Sequence, residues 1–192
     1  MAAGKKNARR LGAHIVFMDE SGFQLCPLVL RTWAPRGKTP LFRHRQRREK
    51  VSVVAAISLS PRRNRTGLYF RFHRTNINTQ DVRDFLRYLL LHLRGKIIVL
   101  LDNAQIHKGP AVRELLGRVR RLRLEALPAY APEANPAENV WANAKRTIAN
   151  GRPDNQDELL VELARVFLNI QRSHQLLRGF LTNPALGYKA LH

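Results

Sequence analysis

The apolar positions of the chain fall into two periods, and the switches between them outline its elements. Five short runs carry the signature of strands. His14 to Met18 (HIVFM) and Ile97 to Leu101 (IIVLL) are almost continuously apolar, as strands buried on both faces are. Val51 to Ser58 and Leu68 to His73 are rich in β-branched and aromatic residues. The linker between them holds Pro61, Asn64 and Gly67, which predicts an antiparallel hairpin. Leu122 to Leu127 is a fifth short strand. Elsewhere the period is helical. Thr79-Gln80-Asp81 opens a helix whose apolar positions are Val82, Phe85, Leu86, Leu89, Leu90 and Leu93, and Gly95 ends it. Pro110 suits the first turn of a second helix, to about Val119. A third runs from about Pro136 to Ala149, stopped by Gly151 and Pro153. The stripe Leu159, Leu160, Leu163, Val166, Phe167 and Ile170 predicts one long helix from about Gln156 to Leu177.

The order is strand, hairpin, helix, strand, helix, strand, helices. It predicts an α/β fold, a mixed five-stranded sheet flanked by helices. Residues 1–12 read as a basic lead-in and residues 13–150 as the main domain. Residues 151–192 read as a C-terminal helix and tail packed on that same domain.

Composition adds a partner to this picture. The 192 residues are 44% apolar, enough for a real core, and no apolar run approaches the ~18 residues of a membrane span. A soluble, cytoplasmic protein is expected, with no membrane partner. The single cysteine, Cys26, excludes an internal disulfide and a cysteine-based zinc site. Lys and Arg number 34 against 14 Asp and Glu, a net charge of +20, which points to a polyanion and first to nucleic acid. The basic residues cluster: Lys5, Lys6, Arg9 and Arg10; Arg43, Arg45, Arg47, Arg48 and Lys50; Arg62, Arg63 and Arg65; Arg118, Arg120, Arg121 and Arg123. Of these, Arg43, Arg45, Arg47, Arg48, Arg118, Arg120 and Arg121 are expected to contact DNA, since arginine suits bidentate phosphate contacts.

Against that background each well-placed acid is informative. Asp19 and Asp102 both follow predicted strands directly. If those strands are adjacent and parallel, the two carboxylates lie side by side and repel unless a cation sits between them. Oxygen donors with no cysteine nearby favour Mg²⁺ or Mn²⁺ over zinc. Asp102 has a blander reading, as a cap of the loop after its strand. Glu138 also has two. In Asn135-Pro136-Ala137-Glu138 it has the spacing of a capping box, where it would only satisfy a backbone N–H. The same first-turn position would hold it ionised at a helix N-terminus, as a metal ligand must be. Trp33 is read as an anchor to the core or as a base-stacking group.

The element order matches the succession of ribonuclease-H-like folds, and four motifs sharpen the resemblance. They are Asp19-Glu20-Ser21-Gly22-Phe23, then Trp33-Ala34-Pro35-Arg36-Gly37. Next comes Leu101-Asp102-Asn103-Ala104 with His107, and last Leu127-Pro128-Ala129-Tyr130-Ala131-Pro132-Glu133-Ala134-Asn135-Pro136-Ala137-Glu138-Asn139-Val140-Trp141. In this order they resemble the catalytic domain of DDE transposases, of the mariner-like superfamily and, within it, the bacterial insertion-sequence-630 type. Thirty-five residues separate Asp102 from Glu138, near the spacing that family keeps between its second and third acids.

The resemblance implies a ribonuclease-H-like fold and a catalytic triad of Asp19, Asp102 and Glu138 holding two Mg²⁺ ions, with Mn²⁺ as the alternative. It implies metal-dependent cleavage and strand transfer at transposon ends, on double-stranded DNA, by a homodimer in a bacterial, nucleoid-associated setting. Asn103, His107 and Asn135 would support the acids or position DNA; for His107 a loop-orienting hydrogen bond is the other reading. Glu20 and Glu133 rank below the three acids named. Ala131, Ala134 and Ala137 replace the family's more usual Ser and larger aliphatics. Only 18 residues precede Asp19, too few for the family's helix-turn-helix domain, so a separate helix-turn-helix polypeptide is expected to recognise the ends. Two alternatives stand beside this reading: a non-catalytic basic DNA-binding remnant of a transposase, and a ribonuclease-H-like nuclease.

Overall fold

The computed structural model describes residues 12–25, 36, 49–128, 135–149 and 153–182. Strands β1 (His14–Gln24), β2 (Lys50–Leu59), β3 (Thr66–His73), β4 (Ile97–Leu101) and β5 (Leu122–Ala126) form one sheet, ordered β3-β2-β1-β4-β5. The pairs β1–β2 and β2–β3 are antiparallel, as the hairpin reading requires. The pairs β1–β4 and β4–β5 are parallel. The mixed five-stranded sheet is therefore as expected.

Because side chains alternate along a strand, the sheet carries two cores. Ile15 and Phe17 of β1, Ala55 and Ile57 of β2, and Ile98 and Leu100 of β4 point to one face. There they meet α3 (Ala137–Ile148), α4 (Gln156–Arg172) and α5 (His174–Leu181). Val16 and Met18, with Ile97, Val99 and Leu101, point to the other face, against α1 (Thr79–His92) and α2 (Pro110–Arg118). The described part of the C-terminal segment thus packs on the same sheet, through Leu159, Leu163, Phe167, Ile170, Leu177 and Leu181.

Two boundaries differ from the sequence reading. The first strand does not stop at Met18. It continues through Asp19 to Gln24, still paired with β2, Asp19 opposite Ala55 and Phe23 opposite Val51. The polar stretch from Asp19 to Gly22 interrupts the burial, which returns at Phe23, but not the strand, because ladder hydrogen bonds use the backbone whatever the side chain. The predicted long C-terminal helix is two helices. Ser173 breaks it, its hydroxyl accepting from Leu176 N as the N-cap of α5. A serine cap competes with helix continuation by offering the backbone an alternative acceptor. Cys26, Trp33 and the arginines Arg43, Arg45, Arg47 and Arg48 lie outside the described residues, as does Glu133.

Candidate active site

The β1–β4 register pairs Phe17 with Leu100, and two positions further on stand Asp19 and Asp102. Parallel pairing thus puts both acids at one edge of the central strands, as the sequence pattern anticipated. Strand alternation then assigns neighbouring residues to opposite faces. Asp19 follows Ile15 and Phe17 toward α3. Glu20 follows Val16 and Met18 toward the α2 side.

On the α3 side the Asp19 carboxylate is held by three donors. Trp141 Nε1 donates to Oδ2 at 3.0 Å and Asn135 Nδ2 donates to the same oxygen at 3.1 Å. The Glu20 backbone N–H donates to Oδ1 at 2.9 Å. Oδ2 is thereby saturated, while Oδ1 keeps a lone pair. Despite these bonds the acid is hard to ionise. Burial is the main cause, the charges of Glu20 and Glu138 add to it, and together they push its pKa up to about 6.

Glu138 sits in the first turn of α3, whose first residue is Ala137. The capping-box reading of Glu138 does not hold. Asn135 is buried, and its Oδ1 accepts from Ala137 N at 3.2 Å, so the asparagine half of a cap is present. Glu138 returns no bond, and its exposed carboxylate accepts no hydrogen bond among the described residues. Asn135 instead links the start of α3 to Asp19 through its two ends.

Asp102 fulfils its blander reading and keeps room for another. Its Oδ1 accepts from Ala104 N at 2.9 Å, capping the loop after β4. That oxygen also lies 3.0 Å from His107 Nδ1, and the carboxylate is 58% exposed. His107 belongs to a 3₁₀ turn, Gln105–Lys108, and is buried. Its Nδ1 is 3.2 Å from the Asp102 carbonyl oxygen, and its Nε2 lies 3.2 Å from each Glu20 oxygen. Burial alone would lower the pKa of this ring. The hydrogen bond and charge of Glu20, joined by those of Asp102, outweigh burial and raise it. Glu20, Asp102 and the His107 ring are therefore one hydrogen-bonded unit.

Of the other expected residues, Asn135 joins the site and Asn103 is exposed after β4 without a bond to the other site side chains. The arginines after α2 do not line this edge. Arg121 spends its guanidinium on the carbonyls of Leu90, Leu93 and Gly95, closing the C-terminal end of α1. Three of its five N–H donors are spent there, which ties this arginine to the end of that helix. Arg118 pairs with Glu114 at 2.7 Å on the surface of α2, and Arg120 is exposed beyond that helix. All three stand at the N-terminal end of β4, where Ile97 N bonds Arg121 O, about 15 Å along the strand from Asp102.

Two residues were undervalued by sequence. Trp141 lies three positions after Glu138, on the same helix face, so the i, i+3 spacing was a usable signal that it reaches the same acid. Glu20 was set aside as a neighbour of Asp19, although strand alternation already sends it to the opposite face.

Among the described residues no three His, Cys, Asp or Glu side chains stand together as a group that could hold a metal ion by themselves. The donor set nevertheless suits a hard divalent cation. It is all oxygen, its buried acid is raised by burial and then by the charges of Glu20 and Glu138, and Glu138 has no competing donor among the described residues. An open set of this kind matches Mg²⁺, which keeps several waters and uses few carboxylates alongside substrate phosphates.

Comparison with known proteins agrees with this geometry. Residues 14–160 match the family described as DDE superfamily endonuclease. The Tc3 transposase of Caenorhabditis elegans is 25% identical over 154 residues, which are 75% of this chain and 45% of that protein. The Mos1 transposase paired-end complex with left transposon end superposes with a TM-score of 0.66 at 19% identity, over 96% of this chain and 57% of that one. Mos1 paired-end complexes with Mn and with Mg superpose as well. The catalytic domain of Mos1 mariner transposase gives 0.58 at 16% identity, over 96% of this chain and 91% of that one. The fold is the ribonuclease-H-like one. The chain spans less than half the length of the curated relative it matches.

Proposed function

The chain belongs to the DDE superfamily of endonucleases, and from that premise we propose that it is a mariner-type transposase catalytic domain that cleaves DNA strands at transposon ends and joins them to target DNA. The observation that carries this is the strand register that sets Asp19 and Asp102 at one sheet edge, with Glu138 near enough for its charge to act on Asp19. Asp19 is raised to about 6, by burial first and then by the charges of Glu20 and Glu138. The motif resemblance extends the proposal to the insertion-sequence-630 type and to a homodimer served by a separate helix-turn-helix polypeptide.

In this reading Asp19 Oδ1, the free Asp102 oxygen and Glu138 would hold two Mg²⁺ ions, with Mn²⁺ as a substitute. Such ions supply Lewis acidity to both the attacking and the leaving oxygen of an in-line phosphodiester displacement. The attacker is water in strand cleavage and a 3′-hydroxyl in strand transfer. The chain's own work is positional. Trp141 and Asn135 fix the rotamer of Asp19 and aim Oδ1 outward. Asn135 also sets the first turn of α3, and with it Glu138, against β1. His107, clamped by Glu20, holds Asp102 so that its second oxygen is presented to the open side. Duplex DNA as the substrate is supported by the net charge of +20 and by the relatives' complexes with transposon ends.

The test is nicking of supercoiled plasmid in Mg²⁺ or Mn²⁺. Asp102→Asn is expected to abolish nicking while salt-sensitive DNA binding persists. Normal nicking by the variant would refute the site. Wild-type protein that never nicks with either metal, even with the helix-turn-helix partner supplied, would leave a DNA-binding remnant as the better reading.

A further inference from the structure

Among the described helical segments, charge is divided by the sheet. The segments forming the α3–α5 layer, residues 135–149 and 153–182, carry five basic residues (Lys145, Arg146, Arg165, Arg172 and Arg178). Five acids balance them: Glu138, Asp154, Asp157, Glu158 and Glu162. The segments forming the α1–α2 layer, residues 79–96 and 105–121, carry nine basic residues against three acids, Asp81, Asp84 and Glu114. Three of the nine are engaged: Arg83 by Asp84, Arg118 by Glu114, and Arg121 by the carbonyls at the end of α1. The other six are Arg87, Arg94, Lys96, Lys108, Arg113 and Arg120. Each is exposed and has no acidic partner among the described residues.

These six are spread over the length of that layer, from one edge of the sheet to the other. The α1 and α2 helices pack side by side, and both start at the catalytic edge. Thr79 in the first turn of α1 donates to Ile106 O in the 3₁₀ turn beside His107. Lys108 and Arg113 stand at that edge, Arg87 halfway along, and Arg94, Lys96 and Arg120 at the far one. A 14-residue helix is about 21 Å long at 1.5 Å per residue. Duplex DNA presents about one negative charge per 1.7 Å of its axis, so it offers phosphates along that whole length.

We propose that the α1–α2 layer is a duplex-backbone track, leading DNA away from the catalytic edge by sequence-independent phosphate contacts. The proposal rests on the reading of this chain as a DNA-cutting domain, since that reading brings a duplex to the edge where the track begins. It places backbone binding on a surface distinct from the acids.

The experiment compares two triple variants of equal charge. Arg87→Gln/Arg113→Gln/Arg120→Gln removes three cations from the track. Lys145→Gln/Arg165→Gln/Arg172→Gln removes three exposed cations from the balanced layer. Affinity for a fluorescent duplex of arbitrary sequence is measured in EDTA over a salt series. Unchanged melting temperatures confirm that both variants fold. The slope of log K against log salt should fall by ~2–3 units in the track variant and by less than one in the other. Equal losses in the two would show that net charge alone attracts DNA and would overturn the proposal. So would a wild-type slope in the track variant, or polyglutamate competing better than duplex. No cleavage is read, so a failure of the metal site would leave this result standing.

Discussion

Replacing Asp19 by Asn should stabilise the metal-free protein at neutral pH. The acid titrates at about 6 in the fold and at 3.8 when unfolded, a shift of about two units, or ~3 kcal/mol at 1.36 kcal/mol per unit. The native state binds the proton more tightly, so this contribution is full below pH 4 and lost as the pH rises from about 4 to about 6. At pH 7.5 the wild type carries the whole penalty of a buried charge beside Glu20 and Glu138. Asparagine is neutral and its carbonyl can still accept from Trp141 and Asn135. Its amide group, however, faces the Glu20 N–H that now donates to Oδ1. That lost bond costs about 1 kcal/mol. The net gain is about 2 kcal/mol at pH 7.5, or a rise in Tm of ~4–8 °C for a domain of this size. At pH 4 the gain should vanish or reverse. Thermal or urea unfolding in EDTA at the two pH values checks this, and added Mg²⁺ should stabilise wild type but not Asp19→Asn. A variant no more stable than wild type at pH 7.5, or a difference that ignores pH, would show that Asp19 is not strained by its surroundings.

Two further outcomes follow from the opposite face of the site. Glu20→Gln should lower the titration point of the His107 ring, observable by NMR. A raised histidine stabilises below its unfolded value of 6.5 and loses that stability as pH passes its folded value, so the variant should lose about 1–2 kcal/mol at pH 6 and little at pH 9. An unmoved ring titration would separate Glu20 from His107. Gly109→Ala should cost about 1–3 kcal/mol and reduce nicking, because the new Cβ would lie 2.2 Å from Thr79 Oγ1, the group that ties α1 to the 3₁₀ turn. Stability measured by urea unfolding would be unchanged if Thr79 could swing aside freely.

The hydrophobic pattern located the strands because burial on two faces leaves a short, continuous apolar run. IIVLL reads as a central strand, and all five of its residues are buried. The pattern also placed Asp102 directly after that strand. It failed where backbone bonding and burial part company. Met18 ends the apolar run, yet β1 pairs on to Gln24. It failed again where local chemistry was ambiguous. Asn135-Pro136-Ala137-Glu138 spells a capping box, but Asn135 turns its amide toward Asp19 and Glu138 makes no cap.

What the sequence determined by itself was the order of elements, the period of each, and the residue types available at the ends of the strands. These are local properties, fixed by sterics and by the partition of side chains between water and core. Only the tertiary structure decided which of them meet. Parallel pairing of β1 with β4 brings Asp19 beside Asp102 across the sheet. The pleat sends Glu20 to His107 and Asp19 to Trp141. The packing of α1 and α2 on one face gathers scattered arginines into a single basic layer, while Arg121 is withdrawn into the end of a helix. Contacts between residues distant in the chain depend on register and layer, and neither is written in the spacing of any one segment.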